Sequence, residues 1–156
     1  MSQQGTDRRV PPQVGYLRSC MDRRFVEATR QKFEEVTGLA GNRYYHEAFA
    51  GGALNFHLFP PPNPNPDGAD YVYGLFVEPE PEIQLMWMGW QAHLNHCGGL
   101  PKVEDPGIRI LFQALANSGR LQSRYQGVKH VFLLAYEGNN QEPLVDIIWQ
   151  SPPAKL

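Results

Sequence analysis

Cys20, Asp22 and Arg24 stand at alternate positions in Tyr16-Leu-Arg-Ser-Cys20-Met-Asp22-Arg-Arg24, at the end of a short apolar run. A thiolate is a soft ligand for zinc, and a guanidinium can hold a carboxylate through paired N–H donors. Alternate residues of an extended chain project to one side, so the spacing predicts that all three face one pocket. A second set of donors lies in Trp90-Gln-Ala-His93-Leu-Asn-His96-Cys97-Gly-Gly. Read as a helix from Trp87 to Cys97, this segment puts His93, His96 and Cys97 on one face, three and four residues apart. With Cys20 they make a Cys2His2 set, which is structural when closed and open to water when one donor stays away. Two plainer roles stand beside these. Cys20 can be a small buried core residue, and Asp22 can cap the following helix.

The elements that must position these groups follow from periodicity and breakers. Val14 to Ser19 reads as a short strand. Arg24 to Thr37 reads as a surface helix carrying Val26, Phe33 and Val36, with Gly38 at its C-terminal stop. Tyr44 to Phe49 reads as a second strand ending at Ala50-Gly51-Gly52, so strand, helix and strand suggest a parallel crossover. Pro60-Pro-Pro-Asn-Pro-Asn-Pro66 excludes both helix and central strand. Tyr71 to Val77 reads as strand. Ile83 to His96, rich in Met and Trp, reads as a hairpin or helix inside an insertion spanning about residues 57–106. Ile108 to Arg124 carries a helical stripe. Gly127 to Ala135 is a continuous apolar run suited to a parallel strand buried on both faces. Leu144 to Trp149 is a last strand. The expected organisation is a flexible arm over residues 1–13, one α/β domain over 14–150, and a tail over 151–156.

Composition narrows the partners. A length of 156 residues supports one domain with a real core, and a net charge of -2 argues against nucleic acid and anionic membrane surfaces. Two cysteines are too few for a disulfide scaffold and suit free thiols or metal ligands in a reducing compartment. No apolar run reaches the roughly 20 residues that span a bilayer, and no secretion-signal pattern opens the chain, so a cytoplasmic protein is expected.

Three segments, in order, resemble β-class carbonic anhydrases. They are Cys20-Met-Asp22-Arg-Arg24, then Ala48-Phe-Ala-Gly51-Gly52-Ala53, then the helix leading into Tyr125-Gln-Gly127-Val-Lys-His-Val-Phe-Leu-Leu134. The resemblance implies a mostly parallel central sheet flanked by helices, a zinc ion, hydration of carbon dioxide to bicarbonate, and a homodimer. It assigns Cys20 to the metal, Asp22 and Arg24 to catalysis, and Gly51 and Gly52 to the substrate pocket, with Phe49 or Trp90 as apolar walls. The family's His-x-x-Cys is replaced in the third segment by Tyr136-Glu137-Gly138-Asn139, which puts a phenol and a carboxamide, neither a normal zinc ligand, at the two ligand positions. The expected repair draws on His93, His96 and Cys97. An alternative alignment makes Ile83 to His96 the ligand strand itself, with His93 and Cys97 standing for His-x-x-Cys. The competing expectation is a carbonic anhydrase-like binding or assembly module that has lost the metal. His46 and His57 read as ordinary polar or packing residues, and His130 as a solvated strand end.

Overall fold

The computed structural model describes residues 13–48, 52, 68–77, 83–94 and 119–151. Among them the chain is α/β, built on a five-stranded sheet in the order β2-β1-β3-β4-β5. The strands are β1 (Gln13–Ser19), β2 (Tyr44–Ala48), β3 (Gln84–His93), β4 (Lys129–Glu137) and β5 (Pro143–Gln150). The first four run parallel and β5 pairs antiparallel with β4. Two α-helices are described, α1 (Val26–Thr37) and α2 (Gly68–Phe76). Residues 119–124 are also helical, where the stripe ending at Arg124 predicts helix. No helix among the described residues is long and apolar enough to cross a membrane.

The first strand, first helix and second strand form where periodicity places them, and Gly38 closes α1 at φ 74° with its N–H on the Glu34 carbonyl at 2.9 Å. β1 lies between β2 on one side and β3 on the other. The chain therefore leaves β1 toward one sheet edge and later returns on its opposite flank. In open α/β sheets such a reversal opens a crevice at the carboxyl ends of the two strands, where ligands bind.

Two expectations are corrected here. Ile83 to His96, read as a hairpin or helix in an insertion, contains β3, the middle strand of the sheet. Its apolar run is continuous because both faces are buried, which hides the period-2 signal of a strand. The proline-rich residues 60–66 and His57 lie outside the described residues. Of Tyr71 to Val77, read as strand, all but Val77 belong to α2. Aromatic and β-branched residues favour a strand locally, but Ala69, Val72 and Phe76 fall on one helical stripe that packs on the sheet, and that packing prevails.

The two faces of β3 define the two cores. Leu85, Met88, Trp90 and Ala92 join Tyr16, Val72 and Tyr125 under α2. Trp87 and the residues at alternate positions after it face α1, with Leu17, Phe25 and Phe33. Phe33 lies so close over Gly89 that a Cβ there would stand 2.5 Å from its ring, so the residue's smallness brings helix and strand together. The Met/Trp cluster is thus core.

His130 is buried rather than solvated, at 3 % exposure. The Trp90 indole N–H donates to its Nδ1 at 3.1 Å, and its Nε2–H donates to the Tyr125 carbonyl at 2.8 Å. Protonation would set Nδ1–H against the indole N–H. Burial accordingly pushes its pKa below the ordinary 6.5, against the opposing pull of the Tyr125 carbonyl. As pH falls below about 6.5, the unfolded chain takes up a proton that native His130 refuses, so stability drops. Denaturant titrations between about pH 6.5 and 5 should show a shallower pH slope for His130→Asn than for wild type, by at most one proton. Equal slopes would contradict a neutral buried His130.

Candidate functional site

β1 ends at Ser19, and the segment after it turns instead of continuing extended. The Phe25 N–H donates to the Asp22 carbonyl at 3.2 Å, starting α1. Strand alternation therefore does not bring Cys20, Asp22 and Arg24 together; a turn does. Asp22 Oδ1 accepts the Arg24 backbone N–H at 3.0 Å, and Arg24 Nε and Nη2 donate to the same carboxylate at 3.1 and 2.7 Å. These hydrogen bonds hold the Asp22 pKa down at about 2, against a modest rise from burial. Asp22 is ionised at any physiological pH.

β3 supplies the second donor. Period-2 alternation puts Gln91 and His93 on its α1 face, and His93 is fully buried at the strand's carboxyl end. Its ring packs on Phe25 with centroids 4.9 Å apart, so Phe25 walls this side, while Trp90 points into the opposite core. His93 Nδ1–H donates to the Leu94 carbonyl at 2.6 Å, which leaves Nε2 facing Cys20 Sγ at 3.2 Å. Asp22 Oδ2 stands 3.8 Å from the same Nε2. Burial disfavours a charged ring, but the Cys20 and Leu94 hydrogen bonds and the negative charge at Cys20 and Asp22 outweigh it and raise the His93 pKa.

The donor pair fits zinc. Donors at a tetrahedral angle, with Zn–S of about 2.3 Å and Zn–N of about 2.0–2.1 Å, lie roughly 3.5 Å apart. The backbone bond from Nδ1 fixes the tautomer that leaves Nε2 for ligation, a common arrangement around metal-binding histidines. Among the described residues no three His, Cys, Asp or Glu side chains converge on a metal position. His96 and Cys97 lie outside the described residues, as do Phe49 and Gly51.

Gly52 is the described member of the glycine pair. At φ 56° it occupies the left-handed region, and a Cβ there would sit 2.2 Å from the Gln91 carbonyl oxygen and 2.8 Å from the Cys20 nitrogen. Its carbonyl accepts from Arg18 Nε at 3.1 Å, and Arg18 Nη1 reaches Glu47 at 3.3 Å. Gly52 is thereby pressed against the backbone that carries the thiol.

The strand expected to deliver His-x-x-Cys is β4, next to β3 and not to β1. The observed neighbour of Cys20 is His93, at the end of β3. At the end of β4, Glu137 accepts from Arg24 Nη1 at 2.6 Å and supports the guanidinium from its far side. Sequence reading missed Glu137 because that bond joins positions 113 residues apart. It missed Gln91 too, although an amide inside the apolar run Met86-Trp-Met-Gly-Trp-Gln91 signals a buried polar group with built partners. His46, read as ordinary, bonds Ser19 Oγ at 2.7 Å and ties β2 to the end of β1. Compared with protein-family models, curated proteins and solved structures, the chain finds no match.

Proposed function

We propose that the chain is a carbonic anhydrase-like zinc protein that hydrates carbon dioxide to bicarbonate at the carboxyl ends of β1 and β3. The observation that carries this reading is the buried Cys20 Sγ and His93 Nε2, 3.2 Å apart, beside an aspartate clamped by arginine. Cys20 and His93 would hold the metal. His96 or Cys97, three and four residues after His93, would supply a further donor. Zinc, when bound, supplies a Lewis acid that lets water ionise near neutral pH.

The chain's own groups do the rest. Asp22 stays ionised and accepts a hydrogen bond from the attacking water, which orients it. Arg24 turns two donors to Asp22 and a third to Glu137, so the carboxylate keeps one position. Phe25 excludes water from the His93 side. Gly52, with no Cβ, lies close against the Cys20 backbone and keeps its surroundings tight. The cytoplasmic location expected from composition, and a homodimer suggested by the family resemblance alone, complete the reading.

Mass spectrometry of protein purified without added zinc tests this. About one zinc per chain is expected in the wild type, with loss in Cys20→Ser and His93→Ala, together with carbon dioxide hydration above the spontaneous rate. A zinc-free wild type that also rejects added zinc would overturn it and favour the non-catalytic binding module.

A further inference from the structure

Gln91 is the least expected group near this site. Its side chain is completely buried in the middle of the sheet, two residues before His93 on the same face of β3. Burying an amide costs free energy unless its donor and acceptor are both used, and here both are. Oε1 accepts the Cys20 backbone N–H at 2.9 Å, and Nε2 donates to Thr29 Oγ1 at 3.1 Å. Thr29 is itself fully buried on α1. One side chain thus joins the strand of the histidine, the turn of the cysteine and the helix that follows.

That joint is confined from outside as well. The Cβ position of Gly52 lies 3.2 Å from Gln91 Oε1, in addition to its close approach to the Gln91 carbonyl and the Cys20 nitrogen. The β1 ladder stops at Ser19, so the pairing that holds β1 to β3 does not extend to Cys20. The Gln91 side chain takes over where the ladder ends.

Resting on the zinc reading above, we infer that Gln91 is a positioning residue for the metal thiolate, fixing Cys20 at the distance from His93 that a shared cation needs. Partners that orient metal ligands typically change affinity by about 10–100-fold when removed. The Thr29 bond gives an internal control. Gln91→Met removes the acceptor for Cys20 and the partner of Thr29, whereas Thr29→Val removes only the second bond.

The test is zinc affinity, measured by competition with a chromophoric chelator, alongside thermal melting, for wild type, Q91M, Q91E and T29V. Zinc binding to Q91M is expected to weaken by about 10–100-fold. T29V should melt lower yet bind zinc as the wild type does. Q91E, whose carboxylate still accepts from Cys20 and from the Thr29 hydroxyl, should bind zinc at least as tightly as the wild type. Wild-type affinity in Q91M, or equal weakening in T29V and Q91M, would overturn the positioning role while leaving the zinc reading intact. If Q91M does not fold, Q91E decides: a loss of affinity there overturns the role. A wild type that binds no zinc would instead defeat the underlying reading and this inference with it.

Discussion

Gly52→Ala should destabilise the protein and weaken the proposed zinc site together. An alanine at φ 56° pays about 1–2 kcal/mol for the left-handed conformation. Its Cβ would also meet two backbone atoms, the Gln91 oxygen at 2.2 Å and the Cys20 nitrogen at 2.8 Å. Backbone cannot rotate aside as a long side chain does, so overpacking adds about 1–3 kcal/mol. The sum of roughly 2–5 kcal/mol corresponds to a fall in Tm of about 5–15 °C for a domain of this size. What yields under that pressure is the joint between Cys20 and Gln91, so zinc affinity should fall with stability. Calorimetry and chelator competition on one preparation test both arms. A melting temperature within about 2 °C of the wild type would show that Gly52 does not press on this joint.

Trp90→Ala should be the most destabilising single change in the core. Trp90 is fully buried between Tyr125, stacked at 5.6 Å, and Tyr16, tilted at 5.8 Å, with His130 stacked beyond at 6.3 Å. Removing a buried tryptophan costs about 3–5 kcal/mol through lost burial and the cavity left behind. It also takes the indole donor from His130 Nδ1, and a buried acceptor deprived of its donor costs about 1–3 kcal/mol. With a total stability of about 5–15 kcal/mol typical of such domains, the variant should be largely unfolded well below the wild-type Tm. Trp90→Phe keeps most of the ring and loses only the N–H, so its cost should be markedly smaller. Equal melting curves for the two variants would show that the indole hydrogen bond, and not the packing, dominates. A Trp90→Ala protein as stable as the wild type would contradict the placement of β3 in the middle of the sheet.

The α/β class, β1, α1, β2, β4 and β5 were legible because each carries its own local signal. α1 has charges on one side, Phe33 on the other and Gly38 at its end. β4 is apolar over its whole middle, as a strand covered on both faces must be. The Asp22–Arg24 pair was also legible, since two residues of opposite charge at that spacing meet in a turn as readily as on a strand. Cys20 and His93 were both readable as candidate residues, but their meeting was not, and His93 was first placed on the wrong kind of element.

Tertiary structure alone decided the rest. β3 and α2 were misread because neither period is visible when a strand is buried on both faces or a helix is short and aromatic. Which strand would stand beside β1 is a question of topology, and local chain preferences do not encode it. The choice fell on β3, which brought His93 to Cys20 and left the end of β4 to supply Glu137 to Arg24. Gln91 and Gly52 join the site through contacts across 71 residues in one case and by fitting against the Cys20 backbone in the other. The sequence by itself determined which residue types were available for the chemistry. Packing of two apolar faces against one sheet determined which of them meet, because burial of both cores is the dominant favourable contribution that strand order must satisfy.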